Sequence, residues 1–488
     1  MLPTTESPSF LATRRGKATL ALLCTVAFLD FVDGSIVNVA LPTIQRELGM
    51  SVSTLQWVTS GYMLTYGGLL LLGGRLADLL GRRRVLITGT VLIALASAVG
   101  GLSQDGGLLI GSRLAQGVGA ALMLPAALSI LTTSFREGSD RNTALGVWGG
   151  AAGLASASGV LLGGLLTQGP GWRWVFYVNT PVCLLVLAAI PALVPNDRRN
   201  EIHGSFDVLG TALATSGLML LVYALVKAPD HGWSDARTLL MLAVSAALLI
   251  AFVYNESRAA EPLVPLSIFR IKGLAAANLS YLTIAAGMLA MFFFLTLYMQ
   301  SVLGFSELEA GLAYLPFSLT LAVSAGISAK LFARTGTRPF IVIGAAITGL
   351  GLLWLARIPT DGSYLTDILP GMLVMAIGAG GVFVADNTAA NAGVPTEQAG
   401  LAAALLNTAQ QLDGALGIAI LTAIATSRTT TEIASGTPIP DATTDGFQLA
   451  LLVGGFLALA AAVIGIRTAD SRGADSESAT GPAAMVAA

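Results

Sequence analysis

Hydrophobic and polar positions along this chain alternate on the scale of whole membrane spans. Apolar segments of roughly 18 residues or more, enough to cross about 30 Å of hydrocarbon, recur from end to end between short polar or Gly- and Pro-bearing breaks. Fourteen are counted, near residues 18–41, 55–77, 84–103, 107–133, 142–167, 174–194, 207–227, 238–255, 273–302, 309–333, 339–357, 367–392, 399–426 and 447–467. The pattern predicts an all-α membrane protein of fourteen transmembrane helices.

The basic residues test that count, because Lys and Arg concentrate in cytoplasmic loops. With the N-terminus inside, the outer loops hold only Arg46, Arg173, Lys227, Arg237, Arg357 and Arg428. Arg113 lies within a span, and the rest of the 26 Lys and Arg fall on the inner side. Both termini are therefore expected in the cytoplasm, with a disordered polar tail at 468–488. The run after Arg14, Arg15 and Lys17 is too long for a signal peptide and is followed by many more.

Composition agrees. Hydrophobic residues make up 54% and charged residues 11%, against about a quarter charged in soluble domains, and the mean hydropathy is +0.76. The 56 glycines suit close helix packing in lipid. A net charge of −2 points to no nucleic-acid partner, and Cys24 and Cys183, on different predicted spans, to no disulfide framework. The only histidines, His203 and His231, are in loops, so neither a histidine metal site nor a His-based triad forms in the membrane. Gly16-Lys17 lacks the upstream glycine of a Walker A loop, so energy is expected from an ion gradient.

Away from the span ends, the charges left inside spans are Asp30, Asp33, Asp386, Asp413 and Arg113. Ionisable residues in a membrane mark function by default. On an ideal helix Asp30 and Asp33 are about 60° apart, and Gly34, Val37, Asn38 and Leu41 complete an arc of about 140°. Asp33 lies about 12 Å below the outer end of span 1, and Arg113 about 9 Å below that of span 4, so the two can share a level. They form either a fixed structural pair or a carboxylate whose protonation is coupled to the approach of Arg113. Asp386, Asn387 and Asn391 in span 12, and Asn407, Gln410, Gln411 and Asp413 in span 13, are either interhelical glue or, for the two acids, a site for a cationic substrate or a proton.

Taken in order, the motifs identify a family. Span 1 carries Asp33-Gly-Ser-Ile-Val-Asn-Val-Ala-Leu-Pro42, spans 2 and 3 are joined by Gly74-Arg-Leu-Ala-Asp78-Leu-Leu-Gly81-Arg82-Arg83-Arg84, and Leu109–Ala121 holds Arg113 and Gly117. WRWVFYVNTP at 172–181, Phe206-Asp207-Val208-Leu209-Gly210 and Tyr298-Met299-Gln300 follow. Together they resemble the major facilitator superfamily, in its fourteen-helix drug:proton antiporter branch of the EmrB/QacA type. The resemblance implies two six-helix bundles, 18–194 and 273–467, flanking an inserted pair at 207–255, with a faint echo of the span 2–3 loop at Lys330–Arg338.

The same resemblance implies proton coupling at Asp33 with Arg113, Asp30 being additional to the motif, and conformational gating by Gly74, Asp78, Gly81 and Arg82. In that loop the glycines permit close helix approach, while Asp78 and the arginines make charged contacts. Expected substrate contacts are Asn38, Tyr298, Gln300, Asp386, Asn387 and Asp413, with Trp57, Tyr62, Trp148, Phe292 and Phe293 as further walls. Departures are Val160, where span 5 of the family has a proline, and the acids Asp386 and Asp413. The expected function is proton-coupled efflux of hydrophobic or amphipathic molecules by a monomer in the plasma membrane, needing no cofactor. The alternatives are a dedicated exporter of one endogenous metabolite or antibiotic, and a non-transporting membrane sensor.

Overall fold

The computed structural model describes residues 10–135, 139–195, 207–259, 262, 264, 266–271, 273–391, 399–468 and 470. The predicted tail lies almost wholly outside them. Numbered here in chain order, the long helices of the N-terminal half are α1 (Arg14–Leu48), α2 (Trp57–Leu80), α3 (Arg82–Leu102), α4 (Gly106–Ser134), α5 (Ser139–Gln168) and α6 (Asn179–Leu193). Then come α7 (Val208–His231), α8 (Ala236–Glu256), α9 (Leu274–Leu297), α10 (Leu315–Thr335), α11 (Arg338–Leu355), α12 (Leu369–Asn391), α13 (Ala399–Ala434) and α14 (Ile439–Gly465). Short helices Arg173–Tyr177 and Glu307–Ala313 lead into α6 and α10. Among the described residues, twelve helices are long and apolar enough to cross a membrane. Helices α5 and α13 are 30 and 36 residues long and include side chains outside the described set.

Helices α1 to α6 pack on one another, α9 to α14 do the same, and α7 bridges α2 and α13 while α8 rests on α7. The contacts within the two halves are built alike. In the first, α3 and α4 approach until a methyl added at Gly89 would stand 2.7 Å from the Gly119 carbonyl oxygen. In the second, a methyl at Gly344 of α11 would stand 2.8 Å from that of Gly378 on α12. Backbones this close gain van der Waals contact, which is what holds helices together where lipid removes the hydrophobic drive.

Helix boundaries follow local chemistry. Thr13 caps α1 by accepting from the Gly16 amide at 2.9 Å, Asp105 caps α4 through Leu108, and Asp207 caps α7 through Gly210. Gly81 ends α2 and starts α3 at φ 98°, a conformation that side chains strain to adopt. The expected close approach in this loop falls one residue earlier than the motif suggested. Gly73 meets the Ala121 backbone, whereas Gly74 has room for a methyl, its nearest neighbour being Pro125 Cβ at 3.8 Å. Asp78 at the end of α2 and Arg82 at the start of α3 pair across Gly81 at 3.7 Å, both partly exposed.

The halves meet tightly on the face opposite the N-terminus. Gln300 Nε2 donates to the Val39 carbonyl at 2.8 Å, and Glu307 accepts from Thr43 at 2.7 Å while pairing with Arg46 at 3.4 Å. Helix α5 runs unbroken through Val160, without the kink a proline would bring. Its Gly159 faces α1, and a methyl at Gly164 would lie 2.7 Å from the Glu307 carbonyl oxygen. A methyl at Gly311 would in turn lie 3.0 Å from the Val160 carbonyl oxygen, so this small-residue stretch is a seam between the halves.

Candidate functional site

Helix α1 carries both acids because its apolar residues outnumber them and its polar arc is turned inward. Asp30 and Asp33 are 5% and 3% exposed, and Arg113 on α4 is 1% exposed. Nothing in lipid solvates such groups, so neighbouring helices must. Asp33 Oδ2 accepts from Arg113 Nη1 at 2.7 Å, while Oδ1 accepts from Gln116 Nε2 at 3.2 Å and Asn179 Nδ2 at 2.5 Å. Arg113 also donates to the Val58 carbonyl at 2.8 Å and to Gln116 Oε1 at 2.9 Å. Gln116 completes its bonding by donating to Ser97 at 2.7 Å. Four helices, α1, α3, α4 and α6, and the backbone of α2 thus converge on one ion pair.

Asp30 has different company. Tyr62 and Tyr66 of α2 donate to its two oxygens at 3.3 and 2.9 Å. Their rings are 5.6 Å apart, and the Arg113 guanidinium carbon lies 4.2 Å from the centre of the Tyr62 ring. Such cation–π contact is worth about 2 kcal/mol when desolvated. Tyr62 therefore joins the two carboxylate environments, with its face on the arginine and its hydroxyl on Asp30.

The structure brings Asp33, Arg113 and Asp30 together, with Tyr62 between them, and places Asn38, Tyr298, Gln300 and Asp386 in other surroundings. Asn38 is buried, its amide 3.4 Å from the Gly34 carbonyl of its own helix. Tyr298 is buried and donates to the Pro359 carbonyl, and Gln300 is taken up by Val39, so both are engaged at the closed face. Asp386 is fully buried, accepts from Ser280 at 3.2 Å through Oδ2, and has no partner for Oδ1 among the described residues. The side chains of Asn387, Asn391, Asn407, Gln410, Gln411 and Asp413 lie outside the described residues.

Three site residues were not singled out from sequence. Gln116 lies three residues after Arg113 within a motif that was noticed, and Asn179 lies in the WRWVFYVNTP stretch. Tyr66 follows Tyr62 by one helical turn, which was the available signal. A groove of about 380 Å³ between α10, α11 and α12 is lined by Val323, Ile327, Ile343 and Gly378 among others, with no charged side chain among the described residues. Asp30, Asp33 and Asp386 are not among its lining residues. Among the described residues no group of His, Cys, Asp and Glu is placed to hold a metal ion.

An all-helical membrane chain, made of two similarly packed halves around buried charges, has the architecture of a transporter. Residues 23–418 match the Major Facilitator Superfamily, and the chain belongs to that family. It is 40% identical to the puromycin resistance protein pur8 of Streptomyces alboniger over 88% of this chain and 85% of that one. It is 39% identical to the cephamycin export protein CmcT of Amycolatopsis lactamdurans over 87% of each. Among solved structures, a bacterial homologue of the human lysosomal transporter Spinster, inward-facing and occupied, superposes with a TM-score of 0.67 at 16% identity, covering 93% of this chain and 97% of that one. The POT family transporter PepTSo gives 0.69 at 14% identity, covering 92% and 97%, and these two likenesses concern the fold.

Proposed function

We propose that this chain is a proton-coupled exporter of hydrophobic or amphipathic small molecules, antibiotics among them, working by alternating access between its two halves. The observation that carries this reading is the buried Asp33–Arg113 pair, whose four-helix surroundings respond to any movement of α1 against α4. Asp33 takes a proton from the outer side when Arg113 withdraws, and loses it toward the inner side when the pair re-forms. Gly81 with the Asp78–Arg82 pair, and Gly74 beside them, gate the inner end, while the Glu307 and Gln300 contacts hold the outer end shut in this conformation. Asp386, Asn387 and Asp413 contribute the substrate surface of the second half.

The same reading takes α1 to α14 as fourteen spans, with bundles at 18–194 and 273–467, an inserted pair at 207–255 and both termini in the cytoplasm. The protein acts as a monomer in the plasma membrane, with the proton gradient as its only energy source. One inward proton at 100 mV and one pH unit supplies about 3.7 kcal/mol, about 2.3 of it electrical. Full coupling concentrates a neutral compound a few hundred-fold, since each 1.4 kcal/mol is about tenfold.

A second reading, a dedicated exporter of one antibiotic, is favoured by names such as those of the puromycin, cephamycin, tetracenomycin C and lincomycin proteins among the relatives. Substrate-dependent proton flux in proteoliposomes tests the coupling. Susceptibility of a host expressing the chain, across a panel of antibiotics and dyes, separates the two breadths. Protection against a single compound supports the dedicated exporter, and absence of substrate-dependent proton flux rejects both.

A further inference from the structure

Asp30 is buried almost as deeply as Asp33, yet both its oxygens are met by phenol hydroxyls and neither by a cation. Arg113, the cation of this cluster, gives its hydrogen bonds to Asp33, Gln116 and the Val58 carbonyl. Two carboxylates and one guanidinium leave one negative charge unbalanced among buried side chains, and such a charge is costly. The acids are also i,i+3 neighbours, with roughly 5–6 Å between their Cβ atoms, so they repel when both are ionised. A single proton removes both penalties.

The hydrogen bonds say where that proton fits. Asp33 is surrounded by donors, the guanidinium and two amide nitrogens, and an acid O–H there displaces one of them. Phenols both donate and accept, so a protonated Asp30 can donate to one tyrosine while the other still donates to it. Asp30 also lies one turn nearer the N-terminal end of α1 than Asp33, about 4.5 Å along the axis.

We propose that Asp30 holds a proton while Asp33 is paired with Arg113, and that it is the relay onto which the proton of Asp33 moves as that pair re-forms. The O–H bond on Asp33 breaks and one on Asp30 forms. Neutral Asp33 and anionic Asp30 become anionic Asp33 and neutral Asp30, with no change in total charge. Tyr62 links the two events, because the guanidinium that must return to Asp33 rests on its ring. This inference rests on the coupling role given to Asp33 above.

The other titratable groups facing this part of α1 are Tyr62 and Tyr66 from α2, Arg113 from α4 and Cys183 from α6. The span of α5 contributes no charged or titratable residue, and that of α9 contributes Tyr281, which packs against Phe383 in the second half, and Tyr298, which donates to the Pro359 carbonyl. Helix α13, on the far side of α2, carries Asp413, whose side chain is outside the described residues.

Infrared spectra of the full chain in lipid, compared between wild type, Asp30→Asn and Tyr66→Phe at neutral pH, test the proposal. The wild type is expected to show a carboxylic-acid C=O band that Asp30→Asn lacks and Tyr66→Phe shifts, while bands from other buried acids remain. In proteoliposomes the ratio of gradient-driven efflux to substrate counterflow should fall at least tenfold in Asp30→Asn. If Asp30→Asn keeps every acid band, or Tyr66→Phe shifts none, the proton is not on Asp30. An unaltered flux ratio in Asp30→Asn overturns the relay. Should Asp30→Asn behave normally while Asp33→Asn is uncoupled, the relay alone fails; full coupling in Asp33→Asn refutes the Asp33 reading and the relay with it.

Discussion

Replacing Asp33 by Asn keeps the size of the side chain and removes only its charge and one acceptor. In the structure Oδ2 faces Arg113 Nη1, and Oδ1 faces the amide nitrogens of Gln116 and Asn179. Every rotamer of an asparagine therefore points its NH₂ at a donor and loses at least one bond. Each hydrogen bond to a charged group contributes about 1.5–3 kcal/mol, and orphaning one member of a buried pair costs about 3–5 kcal/mol. The lower end applies here, because with Asp33 neutralised the nearby Asp30, hydrogen-bonded to the Tyr62 hydroxyl, is free to give up its proton and act as counter-charge to Arg113, which is 1% exposed.

The variant should still fold, with its thermal unfolding midpoint lowered. Its transport defect should be selective. Substrate counterflow, which moves no net protons, should persist, while efflux driven by an imposed pH gradient should fall by at least a hundredfold. The assay is labelled-substrate flux in proteoliposomes with a pH-sensitive dye inside. Wild-type flux together with wild-type proton release on substrate addition refutes the reasoning, because the carboxylate would then carry no proton that matters.

Further outcomes follow from other contacts. Gln116→Leu removes an acceptor for Arg113 and a donor to Asp33, so gradient-driven efflux should drop about tenfold or more, read in the same vesicles, with a loss of roughly 1–3 kcal/mol in stability. Gly81→Ala forces a side chain into φ 98° and should destabilise by about 1–3 kcal/mol and slow turnover, whereas Gly74→Ala, with room at 3.8 Å, should leave thermal stability within about 0.5 kcal/mol. Glu307→Gln weakens its contacts with Thr43 and Arg46, so a cysteine placed at Asn38 should react faster with a membrane-impermeant thiol reagent from the outer side. Unchanged labelling would mean that Glu307 does not hold that face shut.

Much of this molecule is legible one residue at a time. Membrane spans follow from hydropathy, because a backbone in lipid must satisfy its hydrogen bonds within each helix and so declares itself locally. Asp33 and Arg113 stood out because charges are rare in such segments, and their equal depth followed from helical rise alone. The family motifs around Gly81 and Asp78 were visible for the same local reason. Gln116, Asn179 and Tyr66 were not, because amides and tyrosines are common in packed helices and only a neighbour makes one of them a ligand of an acid.

Substrate contacts expected at Tyr298 and Gln300 illustrate the other limit. Their apolar surroundings and polar ends suit a binding wall equally well as a latch, and the fold engages them with Pro359 and Val39. Val160 is similar: the absence of a proline could be read, but its carbonyl against Gly311 of the other half could not. By itself, then, the sequence determined the helical membrane class, the family and the identity of the principal buried charges. Tertiary structure alone decided their partners, giving Asp33 the arginine and Asp30 the two phenols. Helix periodicity specifies a face and a depth, but which neighbouring helix presents its donors there depends on packing between segments distant in the chain.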